Sequence, residues 1–466
     1  MKKVKTRFAP SPTGLIHIGN VRTALFNALY AKKEGGVFVL RIEDTDRDRS
    51  KGEYVAALME DLRWLGLKWG EGPASSEADA TYFQSARGDI YAHYYSVLER
   101  AEIAYPCFCS PTELELSRKS QLGAGMPPRY SGKCANLSPA EAEAKSAQGL
   151  KPTLRFRVGN DEIVEFDDLV RGTQKLQTSD IGDFIIRRAD GSPAFFFCNA
   201  TDDALMDITH VLRGGDHLTN TPRQILLLKA LGLPVPEYGH ISLILGSDGS
   251  PLSKRHGSIS IRDLRARGYM PSALVNLLAR LGHYYENDER ADLEGLANGF
   301  SLSGLGKAPA RFDLAQLRHW QERVVRSADK DTLWNWLDIK TRESVPIDRR
   351  EPFLDIVRSN CTFPTDAAEW ASILFTDPLA RDATVMSVAT EAGSAFFRCA
   401  LDAVERFPGE YEPFLDYLKK NTGAKGKALF QPLRASLTGR LDGPELAAIY
   451  KLLGKGRLER RLAEFI

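Results

Sequence analysis

A short β-leaning run, Val4 to Phe8, and an apolar run, Val37 to Ile42, flank a segment with helical spacing, and that order reads as a β-α-β unit. Ala9-Pro10-Ser11-Pro12-Thr13-Gly14 cannot be regular structure, because its prolines remove donors and fix φ. From Asn20 to Lys33 the apolar residues Val21, Ala24, Leu25, Ala28 and Leu29 fall on one helical face, and Gly35-Gly36 stops the helix. Two strands joined by a crossover helix run parallel, and a parallel sheet binds its ligands at the C-terminal ends of its strands. The N-terminal fold class is therefore α/β of the Rossmann type.

From about Thr81 to Pro193 the pattern changes. A helical stretch, Tyr91 to Arg100, precedes a Cys-containing segment, a Gly-Pro loop (Gly123 to Pro128) and a β-like run from Thr153 to Val158. Ile185 to Arg188 followed by Asp190-Gly191 reads as a strand and tight turn. This is an α+β insertion. Ala194 to Asn199 and Ile208 to Leu212 restore the sheet pattern, and beyond about Leu314 only amphipathic helical spacing recurs, as at Leu446, Ile449, Tyr450 and Leu453.

With 466 residues the chain has room for about three domains. Its 43% hydrophobic and 26% charged residues suit a sizeable core rather than disorder. Six cysteines are too few for a disulfide scaffold and fit a reduced compartment. Met1-Lys2-Lys3-Val4-Lys5 has the charge of a signal segment but no apolar stretch follows, and no run is long enough to span a bilayer. The expectation is a soluble, cytoplasmic protein. A net charge of +1 hides a segregation: Leu418 to Ile466 holds eleven Lys and Arg against four Asp and Glu, leaving −6 for the rest. Such an end could meet a phosphate backbone, although solvated helix faces also carry such charge.

Two constellations bear on phosphate chemistry. His17-Ile18-Gly19-Asn20 sits at a turn entering a helix, where unpaired N–H groups and the positive dipole end attract anions. Gly19 allows close backbone approach, and His17 can donate to developing negative charge. Leu252-Ser253-Lys254-Arg255-His256-Gly257, a Gly-flanked loop with adjacent cations, suits a triphosphate. Either alone is a common surface or loop feature. A third constellation, Cys107-Phe108-Cys109 with Tyr130 and Cys134, offers three thiolates to a zinc that needs four ligands. Cys198, Cys361 and Cys399 have apolar neighbours and read as core.

Taken together, Arg7-Phe8-Ala9-Pro10-Ser11-Pro12-Thr13-Gly14, His17-Ile18-Gly19-Asn20, Arg41-Ile42-Glu43-Asp44-Thr45-Asp46 and the Leu252 to Gly257 run resemble the class I aminoacyl-tRNA synthetases. Within them the chain resembles the bacterial glutamyl-tRNA synthetase family. Thr209 to Leu218, Asn220 to Gln224, Leu437-Thr438-Gly439 and Gly443 to Leu446 extend the resemblance over essentially the whole length. It implies glutamate–tRNA ligase activity: L-glutamate and ATP form glutamyl-adenylate, and the glutamyl group passes to the terminal adenosine of tRNA(Glu), with tRNA(Gln) left open as a second acceptor. It further implies a cytoplasmic monomer using ATP with Mg²⁺. His17, Gly19, Asn20, Ser253, Lys254 and Arg255 match the ATP positions. Arg7 and Arg213 match the carboxylate-binding positions, where a planar fork binds bidentately. Glu43 matches the position facing the ammonium, and Ser11 and Asn199 match neutral hydrogen-bonding positions.

The implied division is a split catalytic domain (1–80 and 193–240), a connective acceptor-binding insertion (81–192), a stem-contact region (241–313) and an all-helical anticodon-binding region (314–466). The basic residues Lys425, Lys427 and Arg457 to Arg461 become candidates for phosphate contact. Two positions depart from the family pattern. Phe195 stands where members usually carry Tyr, and Gly215 where an acidic residue usually follows Arg213-Gly214. Neither removes a group that the chemistry requires. Zinc-containing members place a His two residues after the third Cys, where this chain has Asn136. A shorter relative that glutamylates a modified tRNA base uses Cys-x-Cys with Tyr-x-x-x-Cys, the spacing of Cys107, Cys109, Tyr130 and Cys134. One structural zinc and residual thiols of a lost site are equally weighted readings. That transferase would lack everything after about Arg311, and a non-catalytic tRNA-binding regulatory paralogue would not need the phosphate-binding residues.

Overall fold

A computed structural model describes residues 2–46, 48–74, 79–159, 161–246, 248–250, 252 and 260–466. Strand β1 (Lys5–Phe8), helix α1 (Ile18–Lys33) and strand β2 (Val37–Leu40) form the β-α-β unit, with Lys5 opposite Val37 and Phe8 opposite Leu40 in parallel register. The helix stops as the glycines dictate: Gly35 takes φ +59°, and a Cβ on Gly36 would run into the Val4 carbonyl.

The next elements are helices α2 (Gly52–Trp64) and α3 (Gly88–Arg100), then strand β3 (Ala104–Cys107). Helices α4 (Pro111–Gly123) and α5 (Pro139–Ala147) follow, each opened by a serine that caps the backbone of a glutamate three residues on. Strand β4 (Thr153–Phe156) pairs antiparallel with β3 and with β7 (Phe184–Arg187). Between them lie the hairpin β5 (Ile163–Asp168) and β6 (Gly172–Gln177) and the single turn α6 (Thr178–Ile181). The chain then enters helix α7 (Phe195–Leu205), strand β8 (His210–Gly214), helix α8 (Thr221–Ala230) and strand β9 (Glu237–Ile241).

Strands β8 and β9 are parallel, β5 joins β9 at Asp168, and the Thr209 N–H donates to the Lys5 carbonyl at 2.9 Å. The central order is thus β2-β1-β8-β9-β5-β6, an α/β sheet with an antiparallel hairpin at one edge. One core runs from α3 through the insertion sheet to α7 and α8, with Tyr95 stacked on Phe197 at 4.2 Å.

The run Ala194 to Asn199, expected to restore the sheet pattern, is instead the start of α7. This helix buries residues on every side, from Phe197 to Ala204, so its spacing does not distinguish it from a buried strand.

The chain divides into two compact units. The first comprises Met1–Leu264 and Leu274–Gln316; the second comprises Arg265–Ala273 and Leu317–Ile466. Among the described residues the second unit is helical. Its core holds Phe353, Phe397, Phe414 and Tyr450, and the Tyr450 hydroxyl donates to the Phe407 carbonyl at 3.0 Å. Leu446, Ile449, Tyr450 and Leu453 are all buried on helix Leu446–Ala463. The segment around Gly268 belongs to this unit because its carbonyl accepts from Trp336 Nε1 at 2.7 Å and Gln321 Nε2 at 3.2 Å. Cys198 and Cys361 are core, but Cys399 is only half-buried. On helix Gly393–Arg406 it sits beside the Phe396, Ala400 and Ala403 stripe rather than within it.

Candidate functional site

At the C-terminal ends of β1 and β8 the chain encloses a cavity of about 660 Å³. Its lining includes Arg7, Ser11, His17, Gly19, Asn20, Glu43, Asn199 and Arg213, so every described candidate for ATP or glutamate faces one space. Leu252 also lines it; Ser253, Lys254 and Arg255 lie outside the described residues.

His17 caps α1. Its Nδ1 accepts the Gly19 N–H at 3.1 Å, and Asn20 Oδ1 lies 3.4 Å from the His17 N–H. A ring that accepts at Nδ1 carries its proton on Nε2 when neutral. Burial keeps it neutral by pulling its pKa below the ordinary imidazole value. No acidic residue occupies the first turn of α1, so nothing there competes with an incoming anion.

Beneath the cavity lies a network of buried charges. Arg7 Nε donates to Asp203 at 3.1 Å, and Arg41 Nη1 donates to the same carboxylate at 2.7 Å. Arg41 Nη2 reaches Glu43 at 3.3 Å, and Asn199 Nδ2 also donates to Glu43. Gln224 Nε2 in turn donates to Asn199 Oδ1 at 2.9 Å. Burial would drag Arg41 down, but Asp203, Asp202 and Glu43 outweigh it and hold the guanidinium above its usual value. Burial would lift Asp203, but Arg41 and Arg7 keep it below the usual carboxylate range. For Glu43 burial wins over Arg41 and Asn199, and its pKa rises. Neighbouring Asp202 serves a separate partner set: Arg87 Nε at 2.7 Å, Gln84 Nε2 at 2.8 Å and the Tyr91 hydroxyl at 2.8 Å. Asp202, Asp203, Arg87 and Gln224 were not among the sequence candidates. Two adjacent acids inside the apolar run Phe195 to Ala204 were the available signal, since buried carboxylates require partners.

Arg213 extends from β8 with Nε 3.2 Å from His240 Nε2 and Nη2 2.7 Å from Thr221 Oγ1. Its Nη1 is buried and makes no hydrogen bond among the described residues. Burial lowers its pKa to about 10, which leaves it charged at neutral pH. Phe195, the first residue of α7, lines the cavity with its ring 5.4 Å from that of His217. At Gly215 a Cβ would lie 2.6 Å from Arg171 Nη2, so the arginine fills the space that a side chain would need.

A second cavity of about 830 Å³ shares Phe195 with the first. It is lined by Arg118, Arg129, Arg155, Arg188 and Arg223 against one acid, Asp183. The Arg223 guanidinium lies 5.4 Å over the ring of Phe196.

The three cysteines of the insertion converge. Ligand atoms of Cys107, Cys109 and Cys134 all lie within 4.8 Å of one another, with Cys109 and Cys134 Sγ 3.7 Å apart. The Tyr130 hydroxyl stands 3.3 Å from Cys107 Sγ and 3.5 Å from Cys109 Sγ. Arg155 lies 3.7 Å over the Tyr130 ring. Burial would raise the Cys107 thiol, but hydrogen bonding with Tyr130 and Arg155 brings it down to about 7. Tetrahedral zinc with bonds of about 2.3 Å to sulfur sets sulfurs roughly 3.8 Å apart, so this donor set fits zinc.

In the second unit, Arg457, Arg460 and Arg461 converge on Asp377. Arg461 is 1% exposed and also donates to the Leu437, Ile373 and Thr376 carbonyls. It is a core residue and not available to phosphate, contrary to expectation. Lys425 and Lys427 are exposed.

The family described as tRNA synthetases class I (E and Q), catalytic domain, matches residues 3–319, and the anticodon binding domain family matches residues 314–466. Glutamate–tRNA ligase 1 of Methylococcus capsulatus is 61% identical over 465 residues, which is 100% of this chain and 99% of the relative. Glutamate–tRNA ligase 2 of Nitrosococcus oceani is 57% identical over 98% of this chain and 97% of its own length. A glutamate tRNA ligase from Elizabethkingia meningosepticum, solved in complex with its amino acid, superposes with a TM-score of 0.90 at 28% identity, covering 100% of this chain and 99% of that one.

Proposed function

The chain belongs to the class I tRNA synthetases of the E and Q family, and from that membership we infer how its cavity works: it is a glutamate–tRNA ligase. Its partners are L-glutamate, ATP and tRNA. A glutamate carboxylate oxygen attacks the α-phosphorus of ATP, forming glutamyl-adenylate and releasing pyrophosphate. A ribose hydroxyl of the tRNA's terminal adenosine then attacks the glutamyl carbonyl, and AMP leaves.

The observation that carries the glutamate assignment is that Arg7 and Arg213, the two arginines matching the carboxylate positions, line one cavity of suitable size, with Arg213 Nη1 buried and without a partner among the described residues. The surrounding charge agrees. Arg7, Arg22 and Arg213 line the cavity against Glu43 and Asp216, which leaves one positive charge for a ligand with two carboxylates and one ammonium. Arg7 and Arg213 take the carboxylates, Glu43 faces the ammonium, and Ser11 and Asn199 contribute neutral hydrogen bonds. ATP lies across the α1 N-terminus, where His17 Nε2–H, the Gly19 backbone and Asn20 meet its phosphates. Ser253, Lys254 and Arg255 complete that grip, and Mg²⁺ arrives with ATP as its counter-ion.

The second cavity leads the single-stranded end of tRNA to the first, with its exposed Arg118, Arg129 and Arg188 on phosphates. By function we divide the chain into a split catalytic domain (1–80 and 193–240), an acceptor-binding insertion (81–192), a stem-contact region (241–313) and an anticodon-binding region (314–466). Cys107, Cys109 and Cys134, with Tyr130 as the remaining donor, would hold one structural zinc. Its chemistry is to brace the insertion, and metal analysis of the purified chain will read one zinc, lost in Cys134→Ser. No described helix is long and apolar enough to cross a membrane, and all six cysteines are free. These features support work in the cytoplasm, and the family resemblance implies a monomer.

The deciding experiment is charging. Enzyme, ATP, Mg²⁺ and labelled glutamate are given tRNA(Glu) and tRNA(Gln) separately, with Lys254→Ala as control. Charging of tRNA(Glu) is expected, and the second tRNA reads whether the acceptor range is wider. Binding of tRNA without charging of either would overturn the ligase reading.

A further inference from the structure

Arg213 does not stand alone: two buried groups meet its guanidinium edge, and a third buried group holds one of them from behind. Asp168 ends β5, His240 lies on β9 and Thr221 opens α8; their side chains are 4%, 0% and 0% exposed. Asp168 Oδ1 accepts the backbone N–H groups of Val170 at 2.9 Å, Arg171 at 2.8 Å and His240 at 3.2 Å. Its Oδ2 pairs with His240 Nδ1. On the other side of the ring, His240 Nε2 lies 3.2 Å from Arg213 Nε and 3.0 Å from Thr221 Oγ1.

The direction of every bond in this chain follows from one fact. An arginine Nε–H can only donate, so His240 Nε2 must accept. The imidazole proton then sits on Nδ1 and is donated to Asp168 Oδ2. Burial holds the ring neutral, aided by the positive charges of Arg213 and Arg171 and opposed by Asp168. With Nε on His240 and Nη2 on Thr221, one whole edge of the Arg213 fork is fixed, and Nη1 has no partner among the described residues.

We propose that Asp168 and His240 are positioning residues that fix the orientation of Arg213 toward the glutamate carboxylate. This rests on the reading of Arg213 given above. Neither residue touches the substrate; they act by setting which edge of the fork is occupied and which is offered.

The test exploits the imidazole tautomer. In Asp168→Asn the oxygen stays where three backbone N–H groups converge, so the amide nitrogen replaces Oδ2 and faces His240 Nδ1. The ring proton is driven to Nε2, directly against Arg213 Nε–H. Volume and fold are retained while the arginine loses its acceptor. Loss of one charge-assisted hydrogen bond predicts a rise in glutamate KM of about tenfold to a hundredfold in tRNA charging. The ATP KM stays at its wild-type value. His240→Gln, whose amide can donate to Asp168 and accept from Arg213, recovers most of the glutamate affinity; His240→Leu does not. A wild-type glutamate KM in Asp168→Asn, or equal rises in the glutamate and ATP KM with a lower thermal midpoint, would overturn the positioning role. Arg213→Lys is the control. An unchanged glutamate KM there would overturn the assignment of Arg213 itself and this proposal with it. A raised KM there, beside a wild-type value in Asp168→Asn, would overturn the positioning pair alone.

Discussion

Asp203 accepts the Nε–H of Arg7 at 3.1 Å although 196 residues separate them, and both side chains are buried. The same carboxylate neutralises Arg41, which is fully enclosed. Asn199 stands four residues earlier on α7, one turn away on the same helix face, so a single face organises both Glu43 and Arg7.

Removing Asp203 therefore strands two buried cations. Breaking a buried pair from one side costs about 3–5 kcal/mol, so Asp203→Ala is expected to lower the first thermal transition by several degrees. Asp203→Asn keeps the volume and is expected to raise the glutamate KM, because Arg7 loses its anchor. An unchanged midpoint in the alanine variant would show that the pair carries no stability.

His17 has two separable jobs. It caps α1 through Nδ1, and in the proposed function it offers Nε2–H to ATP. Asparagine is as good a cap, but its shorter side chain cannot carry an N–H as far as His17 Nε2 does. His17→Asn is expected to keep the wild-type thermal midpoint and glutamate KM while kcat falls about 10²- to 10³-fold, the scale of one lost donor to developing charge. A full rate in His17→Asn would reduce the residue to a cap.

The β-α-β unit was legible because prolines and glycines punctuate it and apolar residues recur at helical spacing between them. Helix α7 was not, since a helix buried all round shows no polar side, and its first residues read as sheet. Motif matching placed Arg7, Glu43, Asn199 and Arg213 on one cavity, but it could not reveal Asp203, which acts only through contacts made across the fold. Arg461 misled in the opposite sense. A charged residue in a basic C-terminal run reads as surface, and only the fold brings Asp377 and three carbonyls to enclose it.

His283 gives the first unit a dependence on acid. It is buried, stacked on Phe300 at 4.6 Å, and its Nδ1 has no hydrogen-bond partner among the described residues. Burial lowers its pKa to about 4 from 6.5. Between these values the unfolded chain binds a proton that the folded chain refuses, so stability is full above pH 6.5. It falls as the pH drops toward 4 and levels off below that. The shift corresponds to about 3 kcal/mol. Thermal unfolding of wild type and His283→Gln between pH 7 and pH 4 is expected to show a smaller loss in the variant; parallel curves would exclude His283 as the source.

The basic C-terminal end separates into two kinds of cation. Lys425 and Lys427 flank Gly426 at the start of helix Lys427–Thr438, are exposed, and make no ion pair among the described residues. Arg461 is enclosed and holds Asp377. If the exposed pair meets tRNA phosphates, each lysine contributes about one released counterion, so replacing both by alanine should weaken tRNA binding. It should also flatten the plot of log K against log salt by about one to two. The thermal midpoint should not move. Arg461→Ala should do the reverse, leaving the salt slope of the folded protein intact while the helical unit melts earlier, because Asp377 and buried carbonyls lose their partner. Filter binding of tRNA(Glu) across a salt series, with thermal unfolding of the same samples, distinguishes the two. An unchanged slope in the double lysine variant would move the phosphate contact elsewhere on this unit.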